Sequence, residues 1–188
     1  FTSAGGFPVS NLAKWNGMWW SDVLGGVNGD VYAIEVDAQN NVYVGGDFTS
    51  AGPTSVNNIA VQSGPEWYAL GNGILGATGV VRSMIFDSAG DLYVGGNFTS
   101  AGGVPVKSIA KWDGTDWSEF EVGVVGIFGG SSVGDVRSLA LDLSGNLYAG
   151  GQFKSAGSTP VVNLVQCTEC ASVPQIESPA TPTNVMIS

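Results

Sequence analysis

Apolar residues come in short runs, each closed by a turn, and the runs return in the same order along the chain. VYAIEV at 31–36 reads as a strand, with repeat partners VRSMIF at 81–86 and VRSLAL at 136–141. Each is followed by a turn opened by Asp, at Asp37, Asp87 and Asp142, with Gly or Asn where positive φ is needed. The next run is VYVGGDF, LYVGGNF or LYAGGQF, so each pair predicts a β-hairpin of strands A and B. A longer TSAGGxxV loop follows. A third run, C, stands at 11–15, 58–62, 108–112 and 163–167, and a fourth, D, at 19–24, 67–71 and 117–120.

The repeat is anchored by Phe1, Phe48, Phe98 and Phe153, spaced 47, 50 and 55 residues apart. Four short antiparallel strands with a period near fifty are the pattern of β-propeller blades. The predicted fold is an all-β propeller of three to three and a half four-stranded blades. A partial blade occupies 1–29, blades occupy 30–79 and 80–134, and a second partial blade occupies 135–170. The Pro-, Ser- and Thr-rich stretch 171–188 reads as a linker or tail. The chain begins in mid-repeat without Met, so a processed or partial chain is expected.

A ring typically needs four to eight blades. The N-terminal C–D half-blade could complete the C-terminal half-blade of another copy, or further blades could belong to the same natural chain. Half-blades carry unpaired strand edges that template association. A homo-oligomer or filament is therefore expected, as a closed ring or an open fibre.

Composition narrows the chemistry. The chain has 29 Gly, no His, and 6 basic against 16 acidic residues, a formal charge of −10. Lack of His removes the commonest general base and transition-metal ligand. The acidity argues against nucleic acid and anionic lipid as partners. No apolar run is long enough to span a bilayer. No Ser-His-Asp, Cys-His or metal cluster can be assembled; the scattered acids leave a carboxylate pair for glycoside hydrolysis open but the repeat pattern singles out no two of them, so no enzyme activity and no cofactor is expected.

GGDFTSAG followed by NNIAVQ and WYALG, and GGNFTSAGG followed by SIAKWDGTDW, resemble repeats of secreted and cell-surface β-propellers. They are similar to those of bacterial exported proteins with C-terminal sorting domains and of the fungal cortical cell-polarity marker family. The Gly-Gly after strand B is kelch-like. The resemblance covers residues 1–167 and implies an extracellular or cell-surface location. It departs at QCTEC, 166–170.

Several residues stand out. The pairs Gly45–Gly46, Gly95–Gly96 and Gly150–Gly151 lack the following helix of a phosphate loop, and are read as close blade-to-blade approaches. Trp20, Trp67 and Trp117 recur in strand D and are read as packing. Trp19, whose repeat partners are Glu66 and Asp116, is read as an exposed contact, and glycans are the second partner class. Tyr32, Arg82 and Arg137 share one position in strand A, near a channel mouth. The two arginines could hold a carboxylate-bearing ligand or pair with Asp30 or Asp135. The D-to-A loops at 25–29, 71–79 and 122–134 vary most, and Ile127 and Phe128 are read as exposed apolar contacts. Cys167 and Cys170 read as a local disulfide, since a lone CxxC cannot complete a zinc site. Asn97 begins an N-glycosylation sequon.

Overall fold

The computed structural model describes residues 1–120 and 133–167, and the backbone alone of Val124–Val125, Thr168 and Gln175–Glu177. Every regular element among these residues is a strand. The A strands are Asp30–Val36, Val80–Phe86 and Asp135–Leu141, and the B strands are Val42–Asp47, Leu92–Asn97 and Leu147–Gln152. The C strands are Ala13–Trp15, Ile59–Ser63, Ile109–Trp112 and Leu164–Thr168. The D strands are Trp20–Asp22, Glu66–Ala69, Trp117–Glu119 and Gln175–Glu177. Three antiparallel sheets run in the order A–B–C–D, and a fourth sheet holds C and D alone. We call these blades 1, 2 and 3 and the N-terminal half-blade. Successive A strands pack on one another, which makes A the inner edge.

Gln175–Glu177 corrects two expectations. These three residues lie in the stretch read as a tail, yet they pair with Gln166–Thr168 as strand D of blade 3. Backbone pairing to an available sheet edge overrides a composition poor in apolar residues. Blade 3 therefore has its own C and D strands, and the N-terminal C–D pair is not needed to complete it.

The TSAGG segment is not a plain loop. It folds into two-residue hairpins: Ser3–Ala4 with Phe7–Pro8, Ser50–Ala51 with Thr54–Ser55, Ser100–Ala101 with Val104–Pro105, and Ser155–Ala156 with Thr159–Pro160. The D-to-A loops clamp onto them. Val27 bridges Ala51, and Ile74–Leu75 pairs with Ser100–Ala101. Val27 and Ile74 are buried. These loops are partly structural, not wholly free for binding.

The core is divided into layers between blades. Phe48, Phe98 and Phe153 are buried in three separate clusters. The blades are also latched by tryptophan. Trp67 Nε1 donates to the Leu24 carbonyl at 3.3 Å, and Trp117 Nε1 to the Leu70 carbonyl at 2.8 Å. Trp117→Phe is expected to cost about 2–3 kcal/mol, because it removes one hydrogen bond and part of a buried ring. The hydrogen-bond share stays near 1 kcal/mol because the Leu70 carbonyl keeps the Gly73 N–H. Chemical denaturation would measure it, and no change would show that the latch is idle.

Turn carboxylates are held by hydrogen bonds. Asp142 accepts from the Asn146 side chain at 2.7 Å and from the Asn146 and Ser144 N–H groups at 2.9 Å, which lowers its pKa. Asp113 accepts from the Asp116 and Thr115 N–H groups and the Thr115 hydroxyl, each at 2.8 Å, and its pKa falls to about 2. A depressed carboxylate adds stability that is fully present above the unfolded value, near 3.9, and is lost as pH falls through the folded value. These turns are expected to loosen between about pH 4 and pH 2. An NMR titration should place the Asp113 midpoint near 2. A midpoint at the ordinary value would refute the cap.

Candidate functional site

Three features are built by the repeats: an inner rim, an exposed aromatic tip and an open groove. The rim begins with a β-bulge. In each A–B pair the register slips by one residue, between Val31 and Ala33, Val81 and Ser83, and Val136 and Ser138. The residue left over is Tyr32, Arg82 or Arg137. A bulge takes its residue out of the ladder and re-aims the side chain.

The second glycine of each pair sits opposite the bulge. A Cβ on Gly46, Gly96 or Gly151 would collide with the carbonyl of Asp30, Val80 or Asp135 in its own blade. The first glycine meets the next blade. A Cβ on Gly95 would lie 2.6 Å from Val136 Cγ1, and one on Gly45 would collide with Val81 Cγ1. Close approach between blades therefore explains Gly45 and Gly95 but not their neighbours. At Gly150 the nearest atom to such a Cβ is the Asn163 carbonyl oxygen, 3.9 Å away.

The bulge residues meet in a row. Arg82 Nε donates to Asp135 Oδ1 at 2.5 Å, and Arg137 Nε to Asp135 Oδ2 at 3.0 Å. The Arg82 guanidinium stands 5.8 Å from the Tyr32 ring centroid, and the Tyr32 hydroxyl donates to Asp30 at 3.2 Å. Pairing with Asp135 thus accounts for both arginines, while Asp30 is taken by Tyr32. The Arg137 pair, exposed on the arginine side, is worth only about 0–1 kcal/mol, while the Arg82 pair is partly buried.

The aromatic tip lies on the half-blade. Trp19 sits in the turn between C and D, where the Asn16 side chain accepts its N–H at 3.0 Å, and its side chain is exposed. Exposed Trp15 and Trp20 stand beside it, with rings 5.4 Å apart and tilted by 48°. Trp112 and Trp117 repeat that arrangement at 5.3 Å, but Trp117 is buried. The packing reading of strand D thus holds for Trp67 and Trp117. Trp20 is exposed but keeps the ring contact with Trp15 and the close approach to the hairpin glycine, Gly5.

The groove runs beside the half-blade. Phe1, Leu12, Ala13, Trp20, Val31 and Ile34 line a cavity of about 550 Å³. It is the place that strands A and B fill in the complete blades. Sequence reading missed it, because only the contrast between equivalent residues exposes it. Phe1 is 64% exposed while the other three phenylalanine anchors are buried.

Through residues 10–106 the chain matches the model of the Rax2 C-terminal beta propeller domain. It belongs to that family. The matched span runs from the half-blade through blade 1 to the second strand of the blade 2 hairpin. The resemblance to the fungal cell-polarity marker family is the one that this match supports. No curated protein matches the chain.

The other sequence candidates fare differently in this Rax2-family fold. Asn97 is committed to packing. Its Nδ2 donates to the Gly134 carbonyl at 3.0 Å, and its Oδ1 accepts from the Thr78 N–H at 3.2 Å and the Thr78 hydroxyl at 2.9 Å. In the folded chain its amide nitrogen is a latch to the loop before blade 3, which opposes the glycosylation reading. Cys167 is buried and disulfide-bonded. Cys170, Ile127 and Phe128 lie outside the described residues. Asp87 caps its turn through the Ala89 and Asp91 N–H groups, and Asp91 pairs with Lys111 at 2.8 Å.

Proposed function

We propose that this chain is a non-catalytic, extracellular structural or adhesion propeller segment that associates with its own kind. Its role is to present a rigid blade array and to join it to further blades. The observation that carries this reading is the uncovered leading face of blade 1. Ile34 is 51% exposed, while its repeat partners Met84 and Leu139 are buried under the preceding blade. The open edge of strand C in the half-blade lies beside it. Apolar faces and unpaired edges of this kind drive association. Family membership supports the blade architecture, and the acidic charge keeps the rest of the surface soluble.

The test is light-scattering mass on the purified chain with electron micrographs of the same sample. A discrete oligomer or long filaments are expected. A folded monomer at every concentration would sink self-association.

A carbohydrate-binding role is the second reading, favoured by Trp19 beside Trp15 and Trp20. Exposed aromatic faces stack on apolar ring surfaces. A glycan-binding screen should then show selective binding that Trp19→Ala removes. Flat binding across glycans would reject it.

A further inference from the structure

We propose that a pocket at the outer end of blade 1 binds a proline-rich segment in polyproline II form, the PATP stretch at 179–182 of a second copy. This rests on the reading of the chain as an associating propeller and names the segment and the pocket that join two copies.

Leu24, Pro53, Thr54, Pro65, Glu66 and Trp67 line a pocket of about 360 Å³. Both walls belong to the described chain: Leu24 comes from the loop after the half-blade, and the others from blade 1. The repeat does not build this pocket by default. One blade on, the places of Leu24, Pro53 and Pro65 are held by Gly71, Gly103 and Thr115. Three apolar side chains therefore converge where the scaffold needs none. Leu24 is also held in the left-handed region at φ 51°, where Gly71 stands at φ 56°. A bulky residue there is strained, and such outliers cluster at functional sites. Its carbonyl is fixed by Trp67 Nε1 at 3.3 Å, and the next N–H, of Gly25, donates to Asp22 at 2.5 Å. The Leu24 side chain is left 39% exposed.

The polar groups around the pocket are already engaged. The Thr54 hydroxyl donates to the Trp67 carbonyl at 3.1 Å, and Trp67 Nε1 is spent on Leu24. The Glu66 carboxylate accepts from the Tyr68 hydroxyl at 2.8 Å. The pocket thus offers rigid rings and an aliphatic wall and few donors. That chemistry suits proline rings better than a sugar, and a preformed polyproline II segment has little entropy to lose on docking.

The chain carries such a segment. Three residues per turn put Pro179 and Pro182 on one face of a polyproline II helix, about 9 Å apart. Residues 178–188 hold no charged side chain, which suits an approach to another copy of a molecule of charge −10. The segment follows Glu177, the last residue of strand D in blade 3. Five residues span at most about 18 Å, which bounds the reach of Pro182 from that strand. The pocket lies beyond blade 2, on the far side of blade 1. With packed sheets about 10 Å apart, that is more than about 20 Å from blade 3. A pocket within reach therefore belongs to another copy.

The probe is a fluorescent peptide of residues 178–184, titrated into the 188-residue chain. It should bind saturably, one to one. Binding should weaken by at least about tenfold with Pro179→Ala and Pro182→Ala in the peptide, or with Leu24→Gly and Pro65→Thr in the chain. The two chain substitutions install the residues of the next blade, so the melting temperature should not fall. Light-scattering mass then tests the occupant. The pocket variant alone and the Pro179→Ala, Pro182→Ala chain alone should each associate at least about tenfold more weakly than the parent. Mixing them should restore a dimer, because one supplies the segment and the other the pocket. A mixture no heavier than its parts overturns the second copy as occupant, and peptide binding indifferent to both pairs of substitutions overturns the pocket. Association that both variants leave unchanged overturns this docking while the associating reading stands. A monomer at every concentration overturns both.

Discussion

Phe98→Ala is expected to destabilise the chain by about 3–5 kcal/mol, while Phe1→Ala stays within about 0.5 kcal/mol of the parent. The two residues open the same FTSAGG sequence and differ only in what surrounds them. Phe98 is fully buried among Ile74, Val94, Ala101, Val106 and their neighbours, so truncation loses both transfer energy and packing. Phe1 is exposed in the groove and has little burial to lose. For a chain of this length the Phe98 variant should melt roughly 10 °C lower. Differential scanning calorimetry of both variants decides it. Equal losses would mean that Phe1 is covered in solution, and would itself report association.

A second contrast comes from strand B. Gly95→Ala should cost about 1–3 kcal/mol, because its Cβ must displace a β-branched side chain locked in the next blade. The three nearest atoms to that Cβ are Val136 Cγ1 at 2.6 Å, Val136 Cβ at 3.2 Å and Leu139 Cδ1 at 3.3 Å. Gly150→Ala at the same repeat position meets nothing nearer than 3.9 Å. There the substitution should be neutral, or stabilising by up to about 0.5–1 kcal/mol, since glycine in a strand interior costs conformational entropy. Urea denaturation of the two variants gives the sign directly. A cost at Gly150 equal to that at Gly95 would mean that another surface packs on blade 3.

Much of this fold is legible in the sequence, because a repeated unit shows each strand several times. Strands A to D fall within one or two residues of where VYAIEV, VYVGGDF, NIAVQ and WYALG place them, and their order follows from hairpin connectivity. The bulges are not legible. Tyr32, Arg82 and Arg137 look like ordinary strand positions until the register is seen to slip beside them. The small hairpins escape for a different reason: two residues are too short to show any period. Gln175–Glu177 is hidden by the prolines around it and is strand only through its partner. The groove could not be read either. Ile34 and Met84 satisfy one hydrophobic pattern, and only neighbours decide that one is bare and the other buried. The exposure of Trp19 was legible as a break in register, and Asp135 as one of two carboxylates that could pair with the arginines, whereas the role of Asn97 depends on partners from a distant part of the chain.

The bulges have a further consequence for how such a protein changes over time. Each blade sets one residue outside its ladder, supported by backbone geometry and by the glycine opposite. Tyr at one blade and Arg at two others already share that geometry. The bulge therefore accepts a ring or a guanidinium alike, and what each residue adds comes from its own partners, Asp30 or Asp135. The inner rim can be rewritten one letter at a time, with charge, ring or hydroxyl exchanged blade by blade, while the scaffold stays constant. In this fold the properties of the rim are free to diverge faster than the architecture that displays them.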